Sequence, residues 1–371
     1  KNFWTKSLII VSFYWYAFAL FRTPNGSPGA QGAINNAICV VVFTSTWAMT
    51  LFSRQGSDHY KVIFLAYIWC IPLYILVNLF LMDNYLSLFN LLHSIQSGER
   101  LFSLPMMSGG NTIAAMAGLS AVLSFHITRT GPLKLLGLLS LCCSGLLLLA
   151  VDARGVMFAT AISLACYSLL SDEWLKRTAL FVLLFSLVSA PILLSIFAFL
   201  ESSWVAEMLS RAGDLGARLG LGTGRALMWS DVLADLSRFK IEHVLGYGYG
   251  SSAFAGADEA FYIIFFSDQS VTGQFTTPTL HNAALQIIYD AGYLGLLFMY
   301  ICVYNCIKST KYTTRKQSRI LVANIIYIYI SGYSESVGTI YHFELFMYFI
   351  VTLCLTTTSF DNIRNTILVK A

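Results

Sequence analysis

The sequence predicts an all-α integral membrane protein with about ten transmembrane helices and one large exported loop. Hydrophobic residues make up 57% of the 371-residue chain and charged residues only 11%, whereas a soluble domain would carry about a quarter charged residues. Apolar segments of about 17–25 residues, long enough to cross a bilayer core, recur along the chain. One polar segment interrupts them. We therefore divide the chain into helices 1–7 (residues 1–200), the exported loop (201–280), and helices 8–10 with a tail (281–371).

The predicted helices correspond to the apolar segments in chain order. The ten segments are Ser7–Phe21, Ile34–Phe52, Val62–Met82, Thr112–Ile127, Leu133–Val151, Val156–Leu170, Thr178–Leu200, Ala283–Ile307, Ile320–Ser334 and Tyr341–Ser359. The first and the sixth are short, so we expect them to be tilted, re-entrant or longer than these bounds. The chain opens with Lys1 rather than methionine, and we expect that upstream helices could be missing.

The basic residues predict the orientation of the helices. Most Lys and Arg residues fall at alternate helix ends, and the largest group occupies residues 308–319, before helix 9. Because Lys and Arg are enriched in cytoplasmic loops, this pattern places both termini in the cytoplasm. The 201–280 loop is then periplasmic, or extracellular where the cell has one membrane.

The cysteine and acidic residues give no sign of a disulfide framework or a metal site. All eight cysteines lie within predicted helices, so none braces the exported loop, and we interpret them as apolar packing residues. The sequence has no D-x-D pair that would hold a metal–diphosphate complex, and it has no Ser-His-Asp or P-loop pattern. We therefore expect a reaction that needs neither a divalent metal nor a cofactor.

Arginines on the exported side are the first candidate site residues. Arg154 lies in a tight turn between two apolar helices, where a charge usually has a partner or a task. The alternative is a simple ion pair with Asp152. Arg211, Arg218 and Arg225 are seven residues apart, but the glycines between them argue against one continuous helix. We expect a helix over 224–238 instead, with Arg225 in its first turn beside free backbone N–H groups, which is a suitable anion site. The alternative for these arginines is a purely structural role.

The candidate proton acceptor is His281, which precedes Asn282 at the start of helix 8. Histidine is the side chain best suited to exchange a proton near neutral pH, although an ordinary interfacial histidine is the alternative. Glu335, in the external turn between helices 9 and 10, could orient His281, pair with an arginine or face water. The glycine-rich repeat Gly246–Gly250, which contains Tyr249, predicts a flexible loop, with phosphate binding as the weaker interpretation.

Several short motifs, in this order and spacing, resemble the O-antigen ligase/polymerase family. They are Gly222-Thr223-Gly224-Arg225 followed by Trp229, the Gly246–Gly250 loop, Leu280-His281-Asn282, and Tyr289-Asp290-Ala291-Gly292 with Gly295. The turn at 152–155 is similar to the family's upstream arginine turn, although Ala153 stands where Ser or Thr is usual. Gly109-Gly110-Asn111 fits more loosely. The resemblance covers residues 100–359.

The resemblance implies a GT-C type glycosyltransferase of the bacterial inner membrane that works on its outer face without a metal. Its donor would be an undecaprenyl-diphosphate-linked glycan. Its acceptor would be lipid A–core for a ligase, or a second lipid-linked glycan for a polymerase. Arg154 and Arg225 would hold the diphosphate, and His281 would accept the proton of the attacking hydroxyl. The further expected binding residues are Arg211, Arg218, Asn282, Glu335 and Tyr249. The expected surroundings are membrane lipids, with no nucleic-acid partner.

Two other classes of protein compete with this interpretation. A transporter or flippase for a polyprenyl-linked glycan would explain the many helices but not the large loop. Transporters place ionisable residues near the bilayer midplane, often on broken helices, whereas Asp290 is the main charge inside the predicted helices here. A non-enzymatic scaffold of polysaccharide assembly is the other alternative. Within the enzyme class we favour the ligase, on resemblance alone.

Overall fold

A computed structural model describes residues 77, 110–130, 134–151, 153–200, 225–248, 279–310 and 315–337. These ranges are helical and contain no strand, so the predicted all-α class is confirmed for this part of the chain. Their helices are α1 (Gly110–Thr130), α2 (Lys134–Val151), α3 (Arg154–Leu169), α4 (Asp172–Phe185), α5 (Ser189–Leu200), α6 (Arg225–Ser237), α7 (Ile241–Leu245), α8 (Ala283–Ser309) and α9 (Arg315–Gly332). The predicted helices 1, 2 and 10, and all of helix 3 except Val77, lie outside the described residues. The count of ten therefore stays a prediction.

Three of the described helices are long and apolar enough to cross a membrane, namely α1, α2 and α8. The number rises to four if α4 and α5 form one bent span. These helices coincide with apolar segments that the sequence predicted to be transmembrane. The described part is therefore that of an α-helical membrane protein, while the identity of the membrane and the orientation in it stay predictions.

Helix α9 is the central element of the described bundle. Its apolar residues are buried along its whole length, from Ile320 to Gly332. The Tyr327 hydroxyl donates to the Ala115 carbonyl of α1 at 2.6 Å, and the Ser163 hydroxyl of α3 donates to the Ala323 carbonyl at 2.7 Å. Because α9 is bonded to two neighbouring helices, the turn that follows it at 333–336 has a fixed position in the bundle.

The predicted span Thr178–Leu200 is not one continuous helix, because this region forms two helices, α4 and α5, bent by 79°. Pro191 explains the bend. Proline has no N–H to donate to the carbonyl of residue 187, and its ring would clash with that carbonyl in a continuous helix. Hydroxyls bond to the backbone around the break, with Ser186 donating to the Leu183 carbonyl at 2.7 Å and Ser189 to the Ser186 carbonyl at 2.9 Å.

Helix α8 is also broken, at Gly292, whose φ is 76°. This backbone conformation strongly favours glycine. The loop at 246–248 packs against the break, where the Tyr247 N–H donates to the Tyr289 carbonyl at 2.6 Å and the Gly248 N–H donates to the Asp290 carbonyl at 3.1 Å. These bonds supply partners for carbonyls next to the break. Non-helical backbone within a span is tolerated where it is buried in protein in this way.

Basic residues gather at the end of the bundle opposite to the turn at 333–336. Arg319, near the start of α9, donates to the Tyr167 and Leu170 carbonyls at the end of α3 and to the Asp172 carboxylate at 2.5 Å. Arg315 also binds Asp172, at 2.8 Å. Arg315 and Arg319 therefore lie at the end of the bundle opposite to Glu335.

Candidate functional site

The carboxylate of Glu335 joins three segments that are far apart in the sequence. Oε2 accepts from Nδ1 of His281 at 2.9 Å and from Nδ2 of Asn111 at 3.0 Å. Oε1 forms an ion pair with the guanidinium of Arg225. The Glu335 side chain is only 8% exposed, so it depends on these donors for solvation. We call Asn111, Arg225, His281 and Glu335 the Glu335 cluster.

The end of α9 fixes the position of Glu335. Its backbone N–H donates to the Ser331 carbonyl at 3.1 Å, which continues the helical turn past Gly332. Two residues earlier, the Tyr333 hydroxyl donates to the Val182 carbonyl of α4 at 2.6 Å. The turn is therefore bonded both to its own helix and to a neighbouring one. These bonds fix the position of the Glu335 carboxylate relative to its donors.

Arg225 is the first residue of α6, which agrees within one residue at each end with the helix that the sequence predicted. A cation in the first turn opposes the helix dipole, whereas an anion there is favourable. Glu335 supplies that anion. The Arg225 side chain is about one-fifth exposed (20%), and because a guanidinium has five N–H donors, the pair with Glu335 leaves donors for a second anion.

His281 has a left-handed backbone with φ of 48°, which is uncommon for a residue other than glycine. Its side chain is 28% exposed. Because an ionised carboxylate can only accept hydrogen bonds, Nδ1 of neutral His281 carries the proton that it donates to Glu335. Nε2 then has a free lone pair, which is the requirement for accepting a proton from a hydroxyl group.

Asn282 does not face the site, contrary to the expected binding role. It is fully buried. Its Oδ1 caps α8 by accepting from the Leu285 N–H at 3.1 Å, and its Nδ2 donates to the Ser189 hydroxyl at 3.1 Å and the Tyr333 carbonyl at 3.0 Å. Asparagine is a favourable N-cap because its side-chain oxygen satisfies an otherwise unbonded N–H of the first turn. The role of Asn282 is therefore to hold the start of α8 behind His281.

Arg154 is exposed and is the first residue of α3. The next residue, Gly155, packs against Ser334, so closely that a Cβ at Gly155 would lie 2.6 Å from the Ser334 hydroxyl. Ser334 directly precedes Glu335 in the chain. The arginine turn and the Glu335 turn are therefore in contact, and Arg154 lies at the same end of the bundle as the Glu335 cluster.

The remaining predicted binding residues, Arg211, Arg218 and Tyr249, lie outside the described residues. The loop in which Tyr249 occurs is described as far as Gly248. Contrary to the expected flexible loop, and to the alternative of phosphate binding, residues 246–248 pack tightly on α8. The N–H groups of Tyr247 and Gly248 already donate to backbone carbonyls. Such N–H groups are not free to hold a phosphate.

A chain of buried side chains behind His281 was not identified from the sequence. Trp229 Nε1 donates to the Leu280 carbonyl at 2.8 Å, and the Leu280 N–H donates to Oε1 of Gln286 at 2.8 Å. Nε2 of Gln286 donates in turn to Oδ1 of Asp290 at 3.0 Å. The sequence did carry one sign of this chain, because Gln286 is a polar residue within an otherwise apolar helix, and such residues usually have a buried partner.

A second polar network ties α6 to α7 and α8. Asp235 of α6 accepts from the Tyr289 hydroxyl at 2.7 Å and from Nζ of Lys240 at 2.7 Å, and it lies 3.1 Å from Nε2 of the fully buried His243. Burial by itself would raise the pKa of Asp235, but the hydrogen bonds from Lys240, Tyr289 and His243 outweigh burial and hold the pKa below its usual value. The network holds the C-terminal end of α6, and Arg225 lies at the N-terminal end of the same helix.

Within the described ranges, no group of three or more His, Cys, Asp or Glu side chains is arranged to hold a metal ion. Comparison of the chain with protein-family models, with curated proteins and with solved structures gave no match. The fold and the site define an α-helical membrane protein with a histidine, an arginine and a carboxylate in contact at one end of its bundle.

Proposed function

We propose that the protein transfers a glycan from undecaprenyl diphosphate to an acceptor hydroxyl on the outer face of a bacterial inner membrane, as an O-antigen ligase acting on lipid A–core. The observation that supports this proposal best is the shared contact of His281 and Arg225 with Glu335. Group transfer from a sugar diphosphate needs a proton acceptor and a cation close together, and the Glu335 cluster has both.

In this proposal His281 is the proton acceptor. The acceptor hydroxyl oxygen attacks the anomeric carbon while the bond from that carbon to the diphosphate oxygen breaks, so the configuration inverts. The hydroxyl proton passes to Nε2 of His281, and the imidazolium that forms is stabilised by Glu335 at its Nδ1. General-base help of this kind contributes about 10²–10⁴ in rate.

Arg225 and Arg154 stabilise the leaving diphosphate. The planar guanidinium fork matches two phosphate oxygens and stays charged at any relevant pH. Charge stabilisation of a leaving group is usually the largest catalytic contribution, and here the arginines take the role that a divalent cation has in D-x-D enzymes. The contact between Gly155 and Ser334 supports a shared site, because it links the Arg154 turn to the Glu335 turn. Arg211 and Arg218 are additional diphosphate ligands in this proposal.

The test is transfer by the purified full chain in nanodiscs, with no divalent metal added. Undecaprenyl-diphosphate glycan is supplied together with lipid A–core in one reaction and alone in another. Product on lipid A–core supports the ligase, and lengthening of the donor alone identifies a polymerase, which uses the same groups on a different acceptor. Donor that is bound but intact in both reactions contradicts both enzymes.

The break in α8 favours a transporter as a second candidate function. Transporters bind substrates at broken helices near the membrane centre, and the fully buried Asp290 lies two residues before the break at Gly292. Against this, the carbonyls of Tyr289 and Asp290 accept hydrogen bonds from the 247–248 backbone, which would compete with an ion or substrate. Movement of intact lipid-linked glycan between the leaflets of proteoliposomes tests this alternative.

A further inference from the structure

We propose that Trp229 and Gln286 are positioning residues that hold the His281 imidazole in its reactive place through the backbone of Leu280. This inference rests on the proposed function, in which His281 accepts a proton. Both side chains bond to the backbone of Leu280, the residue before His281. In this inference their effect on the reaction passes through the chain segment 280–282.

Leu280 is held on both sides of its backbone. Its N–H donates to Gln286 and its carbonyl accepts from Trp229, each at 2.8 Å, and all three residues are fully buried. The carbonyl belongs to the peptide plane that joins Leu280 to His281. Fixing this plane limits the rotation about the N–Cα bond of His281, since φ is measured against it.

The other neighbour of His281 is held equally firmly. The side chain of Asn282 bonds to Ser189, Tyr333 and the Leu285 N–H. The backbone carbonyl of Asn282 accepts from the Gln286 N–H at 2.9 Å. His281 lies between two fixed residues in a left-handed conformation that is unfavourable for a residue with a side chain. Such a conformation persists only where the surroundings enforce it.

Asp290 fixes the orientation of the Gln286 amide. The two ends of an amide side chain differ only in their hydrogen-bonding character, so their assignment follows from their partners. The Leu280 N–H needs an acceptor and the Asp290 carboxylate needs a donor, so Oε1 must face Leu280 and Nε2 must face Asp290. The chain from Asp290 through Gln286 to Leu280 therefore has one consistent arrangement.

The first variant replaces the indole N–H of Trp229 without changing its shape. Substitution by 3-benzothienylalanine, in which sulfur takes the place of N–H, removes the bond to Leu280 and keeps the packing. The same replacement at Trp174, which is 59% exposed on α4, is the matched control. Gln286→Met is the second variant, since it preserves length and removes both bonds of the amide.

We expect kcat for glycan transfer to fall about 10-fold at position 229 or 286, which corresponds to the loss of one buried hydrogen bond. We expect KM for the donor to stay within about twofold, because positioning acts on the reacting geometry rather than on binding. In a His281→Ala background the same replacements should cause no further loss, because their effect passes through His281. The Trp174 control should match the wild type.

A second readout does not depend on turnover. Carbethoxylation of His281 by diethylpyrocarbonate, followed by mass spectrometry of its peptide, should be faster in both variants, because the ring is then less firmly bonded to Glu335. Unchanged kcat and unchanged modification would overturn the inference alone. An equal loss of activity with or without His281 would also overturn it and would indicate a general packing role. Full activity of His281→Ala would overturn the proposed chemistry and the inference together.

Discussion

Nδ1 of His281 lies 2.9 Å from Oε2 of Glu335, although 54 residues separate them in the sequence. The other oxygen of the same carboxylate is paired with Arg225. One anion therefore orients the proposed base and neutralises the proposed phosphate ligand before substrate binds. This shared use makes the effects of substitutions in the cluster interdependent.

Glu335→Gln should lower kcat about 100-fold, because a neutral amide cannot stabilise the imidazolium. If the amide oxygen accepts from His281 and Asn111 in place of Oε2, the NH2 group faces Arg225 and cannot accept from it. Initial rates of transfer at saturating donor measure this. Glu173→Gln is the matched control, since Glu173 is an exposed carboxylate paired with Arg177 on the surface of α4. Turnover of Glu335→Gln at the wild-type rate would exclude an essential role for the carboxylate.

Arg225→Lys should lose most of the activity although the positive charge is kept. A compact ammonium group cannot bind Glu335 and two phosphate oxygens in the planar geometry of a guanidinium. We expect a fall of about 10–100-fold in kcat/KM, measured by transfer assays over a range of donor concentrations. Arg177→Lys, on the exposed surface of α4, should be unaffected. Near-normal turnover of Arg225→Lys would contradict the bidentate role.

Gly292→Ala should destabilise the protein by roughly 2–4 kcal/mol. A Cβ at Gly292 would overlap the Val244 carbonyl and lie 2.6 Å from the Gly246 nitrogen, and the φ of 76° is unfavourable for alanine. Gly145→Ala in α2 is the control, because a Cβ there has no neighbour within 4 Å. Thermal unfolding in nanodiscs should show a lower Tm for the first variant alone. Equal Tm values would mean that the α7–α8 contact is not tightly packed.

Asp235→Asn should be less stable than the wild type at neutral pH. Its free energy of unfolding should also decrease less than that of the wild type as the pH is lowered. The folded pKa of Asp235 lies below its usual value of 3.8, so its charged form stabilises the folded state above that value. This contribution is lost as the pH falls through the folded pKa. Unfolding followed at several pH values between about 6 and 3 measures the difference, with Asp231→Asn on the same helix as control. If the stability of wild type and of Asp235→Asn fell in parallel with decreasing pH, charged Asp235 would not stabilise the folded state.

The orientation in the membrane is tested by single cysteines in a cysteine-free background. Position 260 lies in the predicted exported loop and position 60 in a predicted cytoplasmic loop. The third position is Glu173, whose side chain is 74% exposed and which lies in another predicted cytoplasmic loop. A membrane-impermeant thiol reagent added outside should label position 260 only. Labelling at 60 or 173 would reverse the orientation and move the Glu335 cluster to the cytoplasmic face.

The sequence predicted the membrane class and several of the described helices, since apolar length alone defines α1 and α2. It did not predict the bend between α4 and α5, although Pro191 was a visible signal, because the apolar segment continues through the bend. The break at Gly292 was missed because a glycine in an apolar segment also suits close helix packing. The contact of Glu335 with Asn111, Arg225 and His281 depends on the packing of α1, α6, α8 and α9. The motifs in the sequence pointed to Arg225, His281 and Glu335 as site residues, whereas the contacts between them follow from the tertiary structure.

The central claim is that His281 accepts a proton in a transfer reaction, and single-turnover kinetics of wild type and His281→Ala test it most directly. Labelled undecaprenyl-diphosphate glycan is bound to each purified protein, and lipid A–core is then added. We predict that both proteins bind the donor with similar affinity, and that His281→Ala transfers the glycan about 10²–10⁴ times more slowly. Transfer by His281→Ala at the wild-type rate, or intact donor after incubation with wild type, would contradict the proposal.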